Sequence, residues 1–170
     1  MTEMTLHEEY DKEKHLNNMK NDLKAMIDEF VQLDSLNIKD LDFEETAVIV
    51  VDMVNGFAKE GILSSDRVKN IIAYIELLVK NANNYGMDVV YFADSHSKNS
   101  LEVQRLGKHC LKTTSESEIV DELKGYNYRL FKKDSINGVM NKGFAKWFRQ
   151  NKYENYIVVG CVTDICVYNF

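Results

Sequence analysis

The chain has 170 residues, 21 basic and 27 acidic, and its net charge of −6 argues against a nucleic-acid partner. That length fits one domain with a substantial core. No apolar run approaches a membrane span, the polar, acidic N-terminus is no signal peptide, and three cysteines suit free thiols in a reducing cytosol rather than a disulfide framework.

Leu16, Met19, Leu23, Met26, Ile27 and Phe30 recur at three- and four-residue spacing, which predicts an amphipathic helix over about 13–33. Its outer face is charged without basic bias, so residues 1–42 read as an accessory extension that packs on the domain or on a partner subunit. Residues 43–170 read as the domain itself. Ala47–Val51 is a continuous apolar run and predicts a buried strand. Val68 to Ala82 follows as a helix with Val68, Ile71, Ile72, Ile75, Leu78 and Val79 inward, closed by Gly86. Asp88–Phe92 is a second strand. A polar loop and a short helix near Ser117–Leu123 come next, with Ser115 and Glu118 spaced as a capping box. Tyr128–Phe131 is a third strand, a helix covers about 143–151, and Tyr156–Val159 is a fourth strand bounded by Gly160. The chain has no proline, so its turns rely on Gly, Asn, Asp and Ser. Strands alternating with helices, apolar on both faces, imply an α/β fold: a three-layer, Rossmann-like parallel sheet with helices on both sides.

Such sheets bind ligands outside the carboxyl ends of their strands. Four polar groups stand there: Asp52 after the first strand, Asp94 and His96 after the second, Lys132 and Lys133 after the third, and Gly160-Cys-Val-Thr-Asp-Ile-Cys166 after the fourth. A cysteine opening a helix past a strand meets free amides and the positive end of the dipole, which favour thiolate. The competing reading makes Cys161 and Cys166 small buried apolar residues. A nucleophilic Cys166 needs a base and a charge beside it. Asp52 can take its proton, Lys133 can stabilise the developing anion, and the amides of Val162 and Cys166 can hold an oxyanion. Asp94, His96 and His109, with Glu102 between them, offer carboxylate and imidazole ligands for a divalent metal.

Five segments in chain order, Val-Asp-Met-Val-Asn-Gly-Phe57, Asp94-Ser-His96, Lys108-His-Cys110, Lys133-Asp-Ser-Ile-Asn-Gly138 and Gly160-Cys-Val-Thr-Asp-Ile-Cys-Val167, carry a family resemblance. From about Thr46 onward the chain resembles the isochorismatase-like cysteine hydrolases, and most of all their nicotinamidase branch. The resemblance implies an Asp52–Lys133–Cys166 triad. Lys133 is chosen over Lys132 because Asn137 and Gly138 match the small residues that follow the family's lysine. It also implies a metal, zinc first with iron or manganese as alternatives, held by residues matching Asp94, His96 and His109, with Glu102 at the place of a variable fourth ligand. A cis peptide before Val162 belongs to the same pattern. The implied reaction is hydrolysis of a small-molecule amide, nicotinamide to nicotinate and ammonia, through a thioester, as in cytoplasmic NAD salvage.

The chain also departs from the pattern. Phe57 matches one wall of a pyridine site, but Leu106 stands where an aromatic is frequent, Met140 replaces another, and Thr113 takes the place of a common glycine. These changes leave amide hydrolysis intact and open the substrate to isochorismatase or N-carbamoyl-type chemistry. Family members continue beyond the nucleophile with a full helix and two more strands, whereas this sequence ends four residues after Cys166. On that reading the domain is incomplete and the fourth strand forms an exposed apolar edge. That edge and the N-terminal helix point to a homo-oligomer, or to a catalytically incomplete interaction module.

Overall fold

The computed structural model of the chain describes residues 11–170, in two units divided between Asp40 and Leu41. The first contains α1 (Lys12–Val31) and a short 3-10 turn at Ile38–Asp40. Asp11 caps α1 by accepting from the Lys14 amide at 3.0 Å, which satisfies one of the orphan donors of the first turn. The observed helix matches the predicted span to within two residues at its end.

The second unit runs β1 (Thr46–Val51), α2 (Asn55–Ala58), α3 (Asp66–Asn84), β2 (Asp88–Asp94), α4 (Leu101–Leu106), β3 (Arg129–Lys133), α5 (Lys142–Gln150) and β4 (Asn155–Gly160). A five-residue π turn at Thr163–Val167 follows. All four strands are parallel, in the order β3-β2-β1-β4. β1 lies at most 2 % exposed along its whole length, as its unbroken apolar run requires of a strand covered on both faces. Its alternate residues Ala47, Ile49 and Val51 join Val90 and Phe92 of β2 against Phe144 and Trp147 of α5. α3 packs on β1 and β2 and takes no part in that cluster, so it covers the opposite face with Ile72, Ile75, Val79 and Ala82. Ser65 caps it and Gly86, at φ 75°, turns the chain into β2. The three-layer α/β architecture is the one the alternating pattern implied.

One expectation fails in an instructive way. The helix near Ser117–Leu123 and its capping box do not form; two separate 3-10 turns stand there, at Ser115–Ser117 and Asp121–Leu123, with Glu118 extended between them. Pairing with the segment after β1 overrides the local signal. Ile119 bridges Val54, the Glu118 carbonyl accepts from the Asn55 amide at 2.9 Å, and the Val120 amide donates to Met53 at 3.1 Å. β4 borders the sheet and is half-buried from Tyr156 to Gly160, the edge position expected of the fourth strand. No helix among the described residues is long and apolar enough to cross a membrane.

Candidate active site

The parallel register brings the ends of all four strands to one edge of the sheet. Asp52 leaves β1 at φ 56°, a left-handed conformation uncommon for a residue with a side chain. Its amide donates to Phe92 O at 3.0 Å, and its carbonyl accepts from the Val54 amide at 2.8 Å and from the Cys161 thiol at 3.2 Å. Lys133 ends β3 opposite Asp94 and is buried, while Lys132, one residue earlier, points to solvent. The alternation of the strand therefore selects between the two lysines. β4 ends at Gly160, φ 146°, where a Cβ would lie 2.0 Å from the Val51 carbonyl oxygen. Only glycine lets β4 pass so close to the exit of β1. Val162 then turns the chain at φ 58° into the π turn that carries Cys166. For a β-branched residue that conformation is strained.

Lys133 Nζ lies 2.7 Å from Asp52 Oδ2 and 3.9 Å from Cys166 Sγ, and it hydrogen-bonds Asp94 Oδ1. Ligand atoms of Asp52, Asp94 and Cys166 fall within 4.8 Å of one another. Asp52 Oδ2 pairs with the Lys133 ammonium, and among the described residues neither oxygen of this fully buried carboxylate has a well-directed hydrogen bond. Burial, helped by the charge of Asp94 and opposed by Lys133, pushes its pKa up to about 7. For Lys133 burial works against the charge, but Asp52 and Asp94 outweigh it and the pKa rises. Burial and then Asp52 push the Cys166 thiol up, with Lys133 pulling the other way.

The last direction corrects the sequence reading, which had a helix terminus favouring thiolate. One five-residue turn carries little of a helix dipole, and the desolvated sulfur sits beside a carboxylate. A second correction concerns the backbone: no peptide bond among the described residues is cis, and the reversal before the nucleophile is made by the left-handed Val162 instead. Among the described residues the Val162 amide has no backbone acceptor, which leaves it free for an incoming oxygen.

Beside this corner, ligand atoms of Asp94, His96, Glu102 and His109 also lie within 4.8 Å of one another. Among the described residues His96 Nε2 is buried without a hydrogen-bond partner, and it faces Asp94 Oδ2 at 3.3 Å and Glu102 Oε2 at 3.5 Å. The His109 Nδ1 contacts the Gly107 carbonyl at 2.8 Å, which fixes the N–H on that nitrogen and leaves Nε2 for a ligand. Two acids, two imidazoles and an orphaned buried nitrogen fit a divalent cation with mixed N/O preference. The histidines meet because the loop after α4 zips onto the loop after β2: the His96 amide donates to Cys110 O and the Lys112 amide to His96 O, each at 2.9 Å. Asp94 touches both halves of the site, Lys133 through one oxygen and His96 through the other. Sequence reasoning missed Asp134, whose carboxylate meets His96 Nδ1 at 3.1 Å. Its only signal in the sequence was adjacency to Lys133.

A cleft of about 1060 Å³ opens over Cys166 and His109. Phe57, Leu106, Met140, Val162 and Ile165 line it, so both substrate-contact residues expected from the sequence face it. Phe57 is buried with its ring 6.1 Å from that of His109, while Leu106 is mostly exposed. Thr113, which replaces a common glycine, sits at φ 67°, the conformation that makes glycine common there.

A family model described as the isochorismatase domain matches residues 46–170. Nicotinamidase 1 of Arabidopsis thaliana is 29 % identical over 140 residues, which cover 72 % of this chain and 57 % of that protein. The chain thus spans less than two thirds of the length of that curated relative. Among solved structures, N-carbamoylsarcosine amidase from Thermoplasma acidophilum is 27 % identical with a TM-score of 0.69, covering 74 % of this chain and 72 % of that one. The pyrazinamidase of Pyrococcus horikoshii in complex with zinc is 26 % identical with a TM-score of 0.64, covering 72 % of this chain and 74 % of that one.

Proposed function

The chain belongs to the isochorismatase domain family, and on that premise we propose that it is a cysteine amidohydrolase that cleaves a small amide through a thioester, with Asp52, Lys133 and Cys166 as its catalytic residues. The observation that carries the reading is the convergence of a buried thiol that lines the cleft, an ammonium, and a buried carboxylate paired with that ammonium and with a pKa near 7. A carboxyl group poised near neutrality suits proton transfer in both directions.

Asp52 takes the thiol proton as Cys166 Sγ bonds to the amide carbon and the carbonyl electrons move onto oxygen. The amides of Val162 and Cys166 receive that oxyanion. When the tetrahedral species collapses, the carbon–nitrogen bond breaks and the leaving nitrogen takes the proton from Asp52, departing as ammonia. Water then attacks the thioester and gives a proton to Asp52; the carbon–sulfur bond breaks, the acid leaves and the thiol is restored. Throughout, Lys133 keeps its charge and offsets that of the carboxylates around it. Asp94, His96, Glu102 and His109 would hold a divalent metal, zinc first, and that metal would supply a Lewis acid beside the nucleophile.

Nicotinamide is the first substrate to test, supported by Phe57 in the cleft and by the likeness to a nicotinamidase. An N-carbamoyl compound is the second, favoured by Leu106 and Met140, which offer aliphatic rather than aromatic contact, and by the likeness to N-carbamoylsarcosine amidase. Ammonia release is measured on zinc-loaded protein with nicotinamide, pyrazinamide and N-carbamoyl substrates. Turnover that Cys166→Ala lowers by at least about a thousandfold is expected; equal turnover in that variant defeats the reading.

A further inference from the structure

We propose that Asp134 is the positioning residue of the metal site, an inference that rests on the metal reading above and assigns a role to a residue outside the ligand set. Its carboxylate gathers three parts of the site. Oδ1 meets His96 Nδ1 at 3.1 Å and accepts from the Ser97 amide at 3.2 Å. Oδ2 accepts from the Ser97 hydroxyl at 2.9 Å, again from the Ser97 amide at 3.3 Å, and from Lys112 Nζ at 3.2 Å. An ionised carboxylate has no proton to donate, so His96 Nδ1 carries the hydrogen. That choice of tautomer presents the lone pair of Nε2 to Asp94, Glu102 and His109. Lys112 lies three residues after His109, so the same carboxylate also ties down the strand of chain that delivers the second imidazole.

The position explains the economy of the arrangement. Lys133 and Asp134 are consecutive at the end of β3, and the first turns toward the thiol while the second reaches the histidine. One strand end thus organises both halves of the site. A merely structural clip would show up in folding stability alone, whereas a positioning residue changes how tightly and in what geometry the ion is held.

Zinc affinity is measured by competition with a chelator, and cobalt binding by its visible absorption bands. Asp134→Ala is expected to lower zinc affinity about 10- to 100-fold and to shift the cobalt bands. Asp134→Asn keeps an acceptor and is expected to recover part of the loss, to within about 10-fold of the parent. Lys112→Ala removes a contact of Asp134 without touching His96 and is expected to stay within about threefold. Parent-like zinc affinity and cobalt bands in folded Asp134→Ala overturn the inference; if that variant does not fold, the same parent-like result in Asp134→Leu, which also removes the acceptor, overturns it. Absence of zinc binding by the parent chain removes the metal reading itself, a separate result because it appears before any substitution.

Discussion

The two halves of the site are held in different ways. Around Cys166 the fixing elements are strained backbone and buried charge: Asp52 and Val162 at positive φ, a carboxylate held by an ion pair to Lys133, and a thiol whose ionisation burial disfavours. Around His96 and His109 the side chains rest on hydrogen bonds, to Asp134 for one and to the Gly107 carbonyl for the other. The first half is arranged to change its protonation, since burial and Asp94 favour the protonated form of Asp52 while Lys133 favours the ionised one. The second is arranged to stay as it is and present lone pairs. Asp94 joins them, and Lys133 is the group whose loss should separate them most sharply.

Lys133→Met is expected to have the largest effect. It leaves Asp52 and Asp94 buried side by side without their cation, and breaking a buried pair in this way costs about 3–5 kcal/mol. The cost should shrink as the pH falls and the carboxyls protonate. Denaturant unfolding at about pH 8 and about pH 5 checks both statements. An equal cost at both would mean that the two acids do not face each other as drawn.

Gly160→Ala comes next. The added Cβ would lie 2.0 Å from the Val51 carbonyl oxygen, a backbone atom that cannot swing aside. A loss at the upper end of about 1–3 kcal/mol is expected, together with lower activity because β4 would move away from Asp52. Preserved activity in a destabilised protein would show that the nucleophile half tolerates displacement, contrary to the contrast drawn above.

One part of the pH dependence follows from Asp52. Its folded pKa, about 7, stands above its ordinary 3.8, so between those values the native state binds more protons than the unfolded one. The stability it contributes is fully present below the lower value and lost as pH rises through the upper. Catalysis needs the ionised carboxylate to receive the thiol proton, so kcat/KM should climb through the same region. Stability and turnover therefore run in opposite directions across it. Asp52→Asn should flatten the stability profile there and abolish the climb; a rate profile flat through about pH 7 in the parent chain would remove Asp52 from the role of base.

How much of this was legible beforehand depends on whether a feature is carried by pattern or by geometry. The strands announced themselves because Ala47–Val51 and Asp88–Phe92 are apolar without interruption, and a parallel sheet then dictated which ends to inspect. That is why Asp52, Lys133, Cys166 and the residues of the histidine group were named from the chain and are brought together here. The segment from Ser115 to Leu123 misled because its capping signal is local while the Met53–Val54 backbone that claims it is some sixty residues away. Asp134 was quoted within a motif but given no role, because its contact is with His96, in the loop after another strand. The neutral state of Cys166 was hidden as well, since burial is a property of the assembled sheet and not of the motif.

The smallest effect separates the two kinds of strain. Thr113 and Val162 both sit at positive φ, 67° and 58°, one exposed in the loop that follows His109 and the other lining the cleft. Glycine at either position relieves the backbone by roughly 1 kcal/mol, partly offset by the greater freedom of the unfolded chain. Thr113→Gly should raise the melting temperature slightly and leave zinc affinity and turnover unchanged, because no ligand or proton depends on that threonine. Val162→Gly should gain a comparable amount yet lose turnover, since the rigid turn aims the amide meant for the oxyanion and glycine would let it wander. Melting curves and kcat for the pair decide the matter: equal turnover in both would place the Val162 strain in the architecture of the turn rather than in its chemistry, and would leave the oxyanion to the Cys166 amide.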